Sequence, residues 1–236
     1  MGESTPDDIV VLFFSGHGYS GEHSAFYLLP SDSRPGRENW SHPSREALGR
    51  CISAEELSRW FRRVDAAEMV LIVDACHSAA SIESEGFKPG PLGSKGLGQL
   101  AYDKRMRVLA ASQSDQAARE MGGQIGAGVL TYTLLHDGLE ANQAADEKGN
   151  ITLKSCLEYP VKRVPQLFEE IRDGKVSNFG VPVKRTAVPA ADVGGIQREG
   201  AVQVPALFDF TRTGGAGVIL GRMIQKGNSN RSPVKP

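Results

Sequence analysis

The sequence predicts an α/β fold built on a mainly parallel sheet flanked by helices. Three observations point there. Apolar runs of strand length occupy residues 9–15, 69–75 and 107–112. Helix-patterned stretches fall between and after them, the alternation that joins parallel strands. The first run is continuous rather than alternating, as in a strand covered on both faces.

Taken in order, residues 9–15 form the first strand, and Gly16 and Gly18 flank His17 and permit a sharp turn. Residues 25–29 read as a short strand, followed by a polar loop bearing Pro and Gly from Pro30 to about Arg50. Ser53 and Glu56 match a capping box, and the helix they open sets Leu57, Trp60, Phe61 and Val64 on one face. Residues 69–75 are the second buried strand. The Gly, Pro, Ser and charge content of residues 81–97 predicts a mobile surface loop. After the third strand, residues 122–128 read as a glycine-rich loop at the edge of the site, leading into a helix over 129–141. That helix is expected to turn Leu130, Leu134 and Leu135 inward. Residues 145–150 read as a turn, since they lack the alternating ligands of a calcium loop. A further helix is expected over 152–172, kinked or split by Pro160 and Pro165. Beyond Asp173 the periodicity weakens. Phe208, Phe210 and residues 218–220 are candidate edge strands, and residues 228–236 a disordered tail.

The chain has 236 residues, 40% of them hydrophobic, enough for one sizeable core. Its formal charge of −1 provides no basic field for nucleic acid or an anionic membrane. No apolar stretch approaches the roughly 20 residues that span a bilayer. The polar, acidic start does not read as a signal peptide. Three cysteines, Cys51, Cys76 and Cys156, are too few and too scattered for a disulfide scaffold. They fit a reducing, cytoplasmic compartment.

The first two strands end in chemistry. One runs into Ser15-Gly16-His17-Gly18, the other into Asp74-Ala75-Cys76-His77-Ser78. In a parallel α/β sheet, ligand chemistry lies at the carboxyl ends of the strands. Two such ends bring a thiol and an imidazole to one edge. Cys76 then serves as nucleophile and His17 as acid and base, the equipment of a cysteine hydrolase. The backbone N–H groups of Gly18 and Cys76 are the natural oxyanion donors. The competing readings are a buried packing cysteine and a metal site on Cys76, His77 and His17. The paired spacing of structural zinc ligands is missing, so no metal and no cofactor is expected.

Those two motifs, with a weaker match at Leu109-Ala110-Ala111-Ser112-Gln113-Ser114-Asp115, resemble the caspase-like cysteine peptidases. Within them the nearest likeness is to the bacterial and metacaspase-type members. The resemblance covers about residues 7–170. It implies a three-layer caspase-like sandwich, with His17 and Cys76 as the dyad and Gly18 and Cys76 as the oxyanion hole. It also implies substrate contacts at Asp74, Ser112 and Asp115, and cleavage of proteins or peptides after Arg or Lys rather than after Asp. A buried carboxylate at Asp74 would suit a cationic side chain. The competing reading of Asp74 is a helix-capping or loop-bracing aspartate, and that of Asp115 an exposed turn. Maturation cuts in such proteins direct attention to Lys88 and Lys95 as self-cleavage positions.

One departure stands out. The family's domain has strands before the histidine strand, whereas about eight residues precede it here. The expectation is a catalytic domain over residues 1–172, incomplete at its N-terminus, an extension over 173–227, and the tail. A missing N-terminal segment, a partner chain, or a divergent compact fold that uses the C-terminal segment as replacement would then account for the sheet. The alternative function is a weak or inactive regulatory module that binds peptides without cutting them.

Overall fold

The computed structural model describes residues 3–20, 26–33, 43–75, 95–111, 119–121, 128–173, 182–184, 203–211 and 218–222. β1 (Ile9–Ser15) breaks at Gly16 and continues as β2 (His17–Ser20), which pairs antiparallel with β3 (Phe26–Leu29). A short helix, α1 (Arg45–Gly49), is capped by the Ser44 hydroxyl, which accepts from Ala47 N. β4 (Ile52–Ser53) joins β3 and leads into α2 (Ala54–Arg62). There the predicted capping box is complete, with Glu56 N donating to Ser53 Oγ and Ser53 N to Glu56 Oε2. β5 (Glu68–Asp74), α3 (Lys95–Asp103), β6 (Arg107–Ala110) and β7 (Arg119–Met121) follow. α4 (Val129–Tyr132) widens into a π-helical stretch over Thr133–Glu140. β8 (Asn150–Thr152), α5 (Leu153–Arg172), β9 (Pro182–Lys184), β10 (Ala206–Asp209) and β11 (Ile219–Arg222) complete the described order.

The central sheet has the order β1-β5-β6-β10. β5 runs parallel to β1 and to β6, while β10 returns antiparallel along β6. Successive residues of a strand face opposite sides, so β5 feeds two cores. Leu71 and Val73 join Leu57 and Phe61 of α2 and Leu97, Leu100 and Ala101 of α3. Val70 and Ile72 join Leu109, Leu130, Leu134, Cys156 and Leu157 on the other side. Helices on both faces of a mostly parallel sheet give the three-layer α/β architecture. Among the described residues, no helix is long and apolar enough to cross a membrane.

β10 is fastened by charge. The buried Arg107 guanidinium, at the start of β6, donates from Nε to Asp209 Oδ2 at 3.1 Å and also pairs with Glu68 on β5. One cation thus ties three strands together. The Phe208 and 218–220 expectations are met by β10 and by β11, which pairs with β8.

Several local expectations change. β1 is covered on one face only: Val10, Leu12 and Phe14 pack inward, while Ile9, Val11 and Phe13 are 40%, 52% and 45% exposed. On the outward face of β1, the cluster formed by Leu130, Leu134, Cys156 and Leu157 takes in residues of β5 and β6 but none of β1. Trp60 lies outside the buried face of α2, which Leu57 and Phe61 form. Leu135 is likewise exposed, while its neighbour Leu134 is buried. Of the predicted 81–97 loop, residues 81–94 lie outside the described residues, and residues 95–97 belong to α3. Its Leu97, Leu100 and Ala101 have helical spacing, which Gly96 and Gly98 obscured. α5 is continuous through Pro160 and Pro165. Each proline removes a helix hydrogen bond at a cost of about 3 kcal/mol. The buried stripe Cys156, Leu157, Val164 and Leu167 offsets it. Residues 145–150 form the expected turn: Asp146 Oδ1 accepts from Lys148 N and Asn150 N, and Gly149 takes φ 76°. The tail over 228–236 lies outside the described residues.

Candidate active site

Strand register brings the predicted strand ends level. Ser15 pairs with Asp74, the last residues of β1 and β5. Gly16 N donates to the Asp74 carbonyl at 3.1 Å, and Ala111 N to the Val73 carbonyl at 2.9 Å. Three carboxyl ends therefore lie along one sheet edge. His17 follows Ser15 by two residues, and Cys76 follows Asp74 by two. At the break, a Cβ on Gly16 would sit 2.9 Å from the Phe14 ring, so a larger residue there would require that side chain to shift. His17 is half-buried and opens β2 opposite Leu29, with Gly18 opposite Leu28. The histidine is thus anchored in a hairpin rather than carried on a loose turn.

Asp74 has the most detailed environment of the predicted site residues. It is 0% exposed. Its Oδ2 accepts from Thr131 Oγ1 at 2.5 Å and from Thr131 N at 3.1 Å. The second bond satisfies an N–H in the first turn of α4, where helical donors lack internal partners. Gly128, just before α4, lies so close that a Cβ would meet Oδ2 at 2.0 Å. The geometry realises the helix-bracing reading of Asp74, at the very edge where a substrate-facing carboxylate was expected. Sequence reasoning missed Thr131 and Gly128. The glycine at a predicted helix start was the available signal, but nothing local linked it to Asp74.

A second long-range contact supports the third strand end. Gln203, buried, donates from Nε2 to the Ala111 carbonyl at 2.7 Å. Ala111 immediately precedes Ser112. The remaining cysteines are elsewhere: Cys51 and Cys156 are buried free thiols. Burial pushes each thiol up to about 11, which keeps it protonated at neutral pH. Of the other predicted site residues, Cys76, Lys88, Ser112 and Asp115 lie outside the described residues. Lys95 is the first residue of α3, so its backbone begins a helix.

A family model described as the caspase domain matches residues 2–176. The chain belongs to the caspase domain family. No curated protein matches it. Membership identifies this as a cysteine-peptidase-type domain, in agreement with its mostly parallel, helix-flanked sheet. The match ends at residue 176, before β10, yet β10 extends the central sheet and Gln203 supports the end of β6.

Proposed function

We propose that this caspase domain is a cysteine endopeptidase of metacaspase type, with Cys76 as nucleophile and His17 as acid and base, cutting after Arg or Lys. The observation that carries the reading is the parallel register of β1 and β5, in which Ser15 and Asp74 are partners. The same two-residue step then leads to the histidine and to the cysteine. In the reaction, the Cys76 thiolate attacks the scissile carbonyl carbon and the oxygen gains charge. The N–H groups of Gly18 and Cys76 stabilise that oxyanion. His17 protonates the departing amine and afterwards deprotonates the water that hydrolyses the acyl-enzyme.

The buried Asp74 carboxylate, held at the same edge, supports a preference for a cationic side chain before the cut. Ser112 and Asp115, following β6, are assigned to the same pocket, and Lys88 and Lys95 to self-cleavage. The sparse cysteines suit a cytoplasmic enzyme.

The test uses fluorogenic peptides that differ only in the residue before the cut. Arginyl and lysyl peptides are expected to be cleaved, aspartyl peptides not. Cys76→Ala and His17→Ala should each lower kcat by at least about 100-fold. A regulatory module would bind the peptides and release them uncut, and that outcome rejects the enzyme reading.

A further inference from the structure

We propose that Thr131 is a positioning residue of this peptidase, acting through Asp74 on recognition of the substrate's cationic side chain. The inference rests on the peptidase reading above and deepens it. Thr131 supplies two donors, its backbone N–H and its hydroxyl, to the same oxygen of Asp74. The hydroxyl bond, at 2.5 Å, is in the range of a charge-assisted O–H···O contact. Asp74 is fully buried, so this oxygen cannot exchange Thr131 for bulk water without moving. Gly128 closes the other side, since any Cβ there would occupy the space of Oδ2. The first turn of α4 therefore sets the orientation of a carboxylate that β5 carries two residues before Cys76.

This orientation exists before substrate binds. Recognition of a guanidinium by a carboxylate depends on planar, directional hydrogen bonds, so a carboxylate fixed in advance loses less freedom on binding. Without the Thr131 hydroxyl, Asp74 retains its charge-bearing group but loses one of the two donors that Thr131 supplies. The effect should fall on binding of the cationic residue rather than on the chemical step.

The test compares two peptides differing only by arginine or its neutral isostere citrulline before the cut. They are assayed with wild type, Thr131→Val, Thr131→Ser, Asp74→Asn and the Asp74→Asn/Thr131→Val double variant. Thr131→Val is expected to raise KM for the arginyl peptide about tenfold, with kcat within about twofold. The citrulline peptide should change little, and Thr131→Ser should restore KM to within about threefold of wild type. On the Asp74→Asn background, the valine substitution should add less than about twofold, because its effect passes through the carboxylate. Thr131→Ala serves the same comparison if the valine variant does not fold. Equal losses for both peptides, or losses that add in full to those of Asp74→Asn, overturn the assignment and leave the peptidase reading standing. Wild type that cleaves neither peptide rejects the peptidase reading and this assignment together.

Discussion

At the scale of single residues, burial sets Cys51 and Cys156 apart as unreactive thiols. Cys51 and Cys156 are buried, and desolvation holds both protons on at neutral pH. The thiolate is the reacting species, so neither should compete with Cys76. Iodoacetamide on the native protein at pH 7 is expected to alkylate a single site, the peptide bearing Cys76. Comparable labelling of Cys51 or Cys156 in peptide mass maps would contradict this. The same burial has an alkaline cost. Each thiol ionises near 9 in the unfolded chain and near about 11 in the folded one, so the folded state holds the protons more tightly. Their contribution to stability is complete below pH 9 and is lost as pH rises towards 11. Denaturant midpoints should fall over that interval, and less steeply for Cys156→Ser than for wild type. Cys76 was legible because its neighbours spell a motif. Thr131 was not, because its partner is 57 residues away.

At the scale of elements, β1 shows where sequence pattern and environment part. Its seven residues, Ile9–Ser15, read as fully buried, yet the strand presents Ile9, Val11 and Phe13 outward. It lies at the edge of the sheet among the described residues. An exposed apolar edge strand is a template for self-association. Val11→Lys, at the most exposed of the three, is expected to reduce concentration-dependent oligomers in sedimentation velocity while leaving the melting temperature nearly unchanged. A fall of several degrees would mean that Val11 packs in a core. Propensity failed at α5 for a related reason. Two prolines argue for a kink or a split, and the helix is not split, with one long face buried in two neighbouring clusters. Propensity is a local quantity, and burial of a whole face exceeds it.

At the scale of the whole molecule, the C-terminal segment belongs to the working sheet. β10 covers β6, Asp209 pairs with Arg107, and Gln203 supports Ala111. Shortening the chain after residue 176, where the family match ends, leaves Arg107 without its Asp209 partner and uncovers β6. The shortened chain should lose cooperative thermal unfolding and arginyl-peptide cleavage together. A stable, active product would show that β10 is dispensable. Arg107→Ala in the full chain should cost about 3–5 kcal/mol in denaturant unfolding, since it strips two carboxylates of a shared buried cation. By itself the sequence determined the three parallel strands, the capped helix between the first two, and the histidine and cysteine motifs. These depend on neighbouring residues, through apolar runs, capping pairs and chemistry adjacent in the chain. Only the tertiary structure decided that Asp74 is bound to Thr131, that β1 is open on one face, and that Arg107 and Gln203 join the C-terminal segment to the sheet. Those contacts link residues from 57 to 102 positions apart. Local pattern cannot specify them, because their energy arises only once folding has brought the partners together and excluded water.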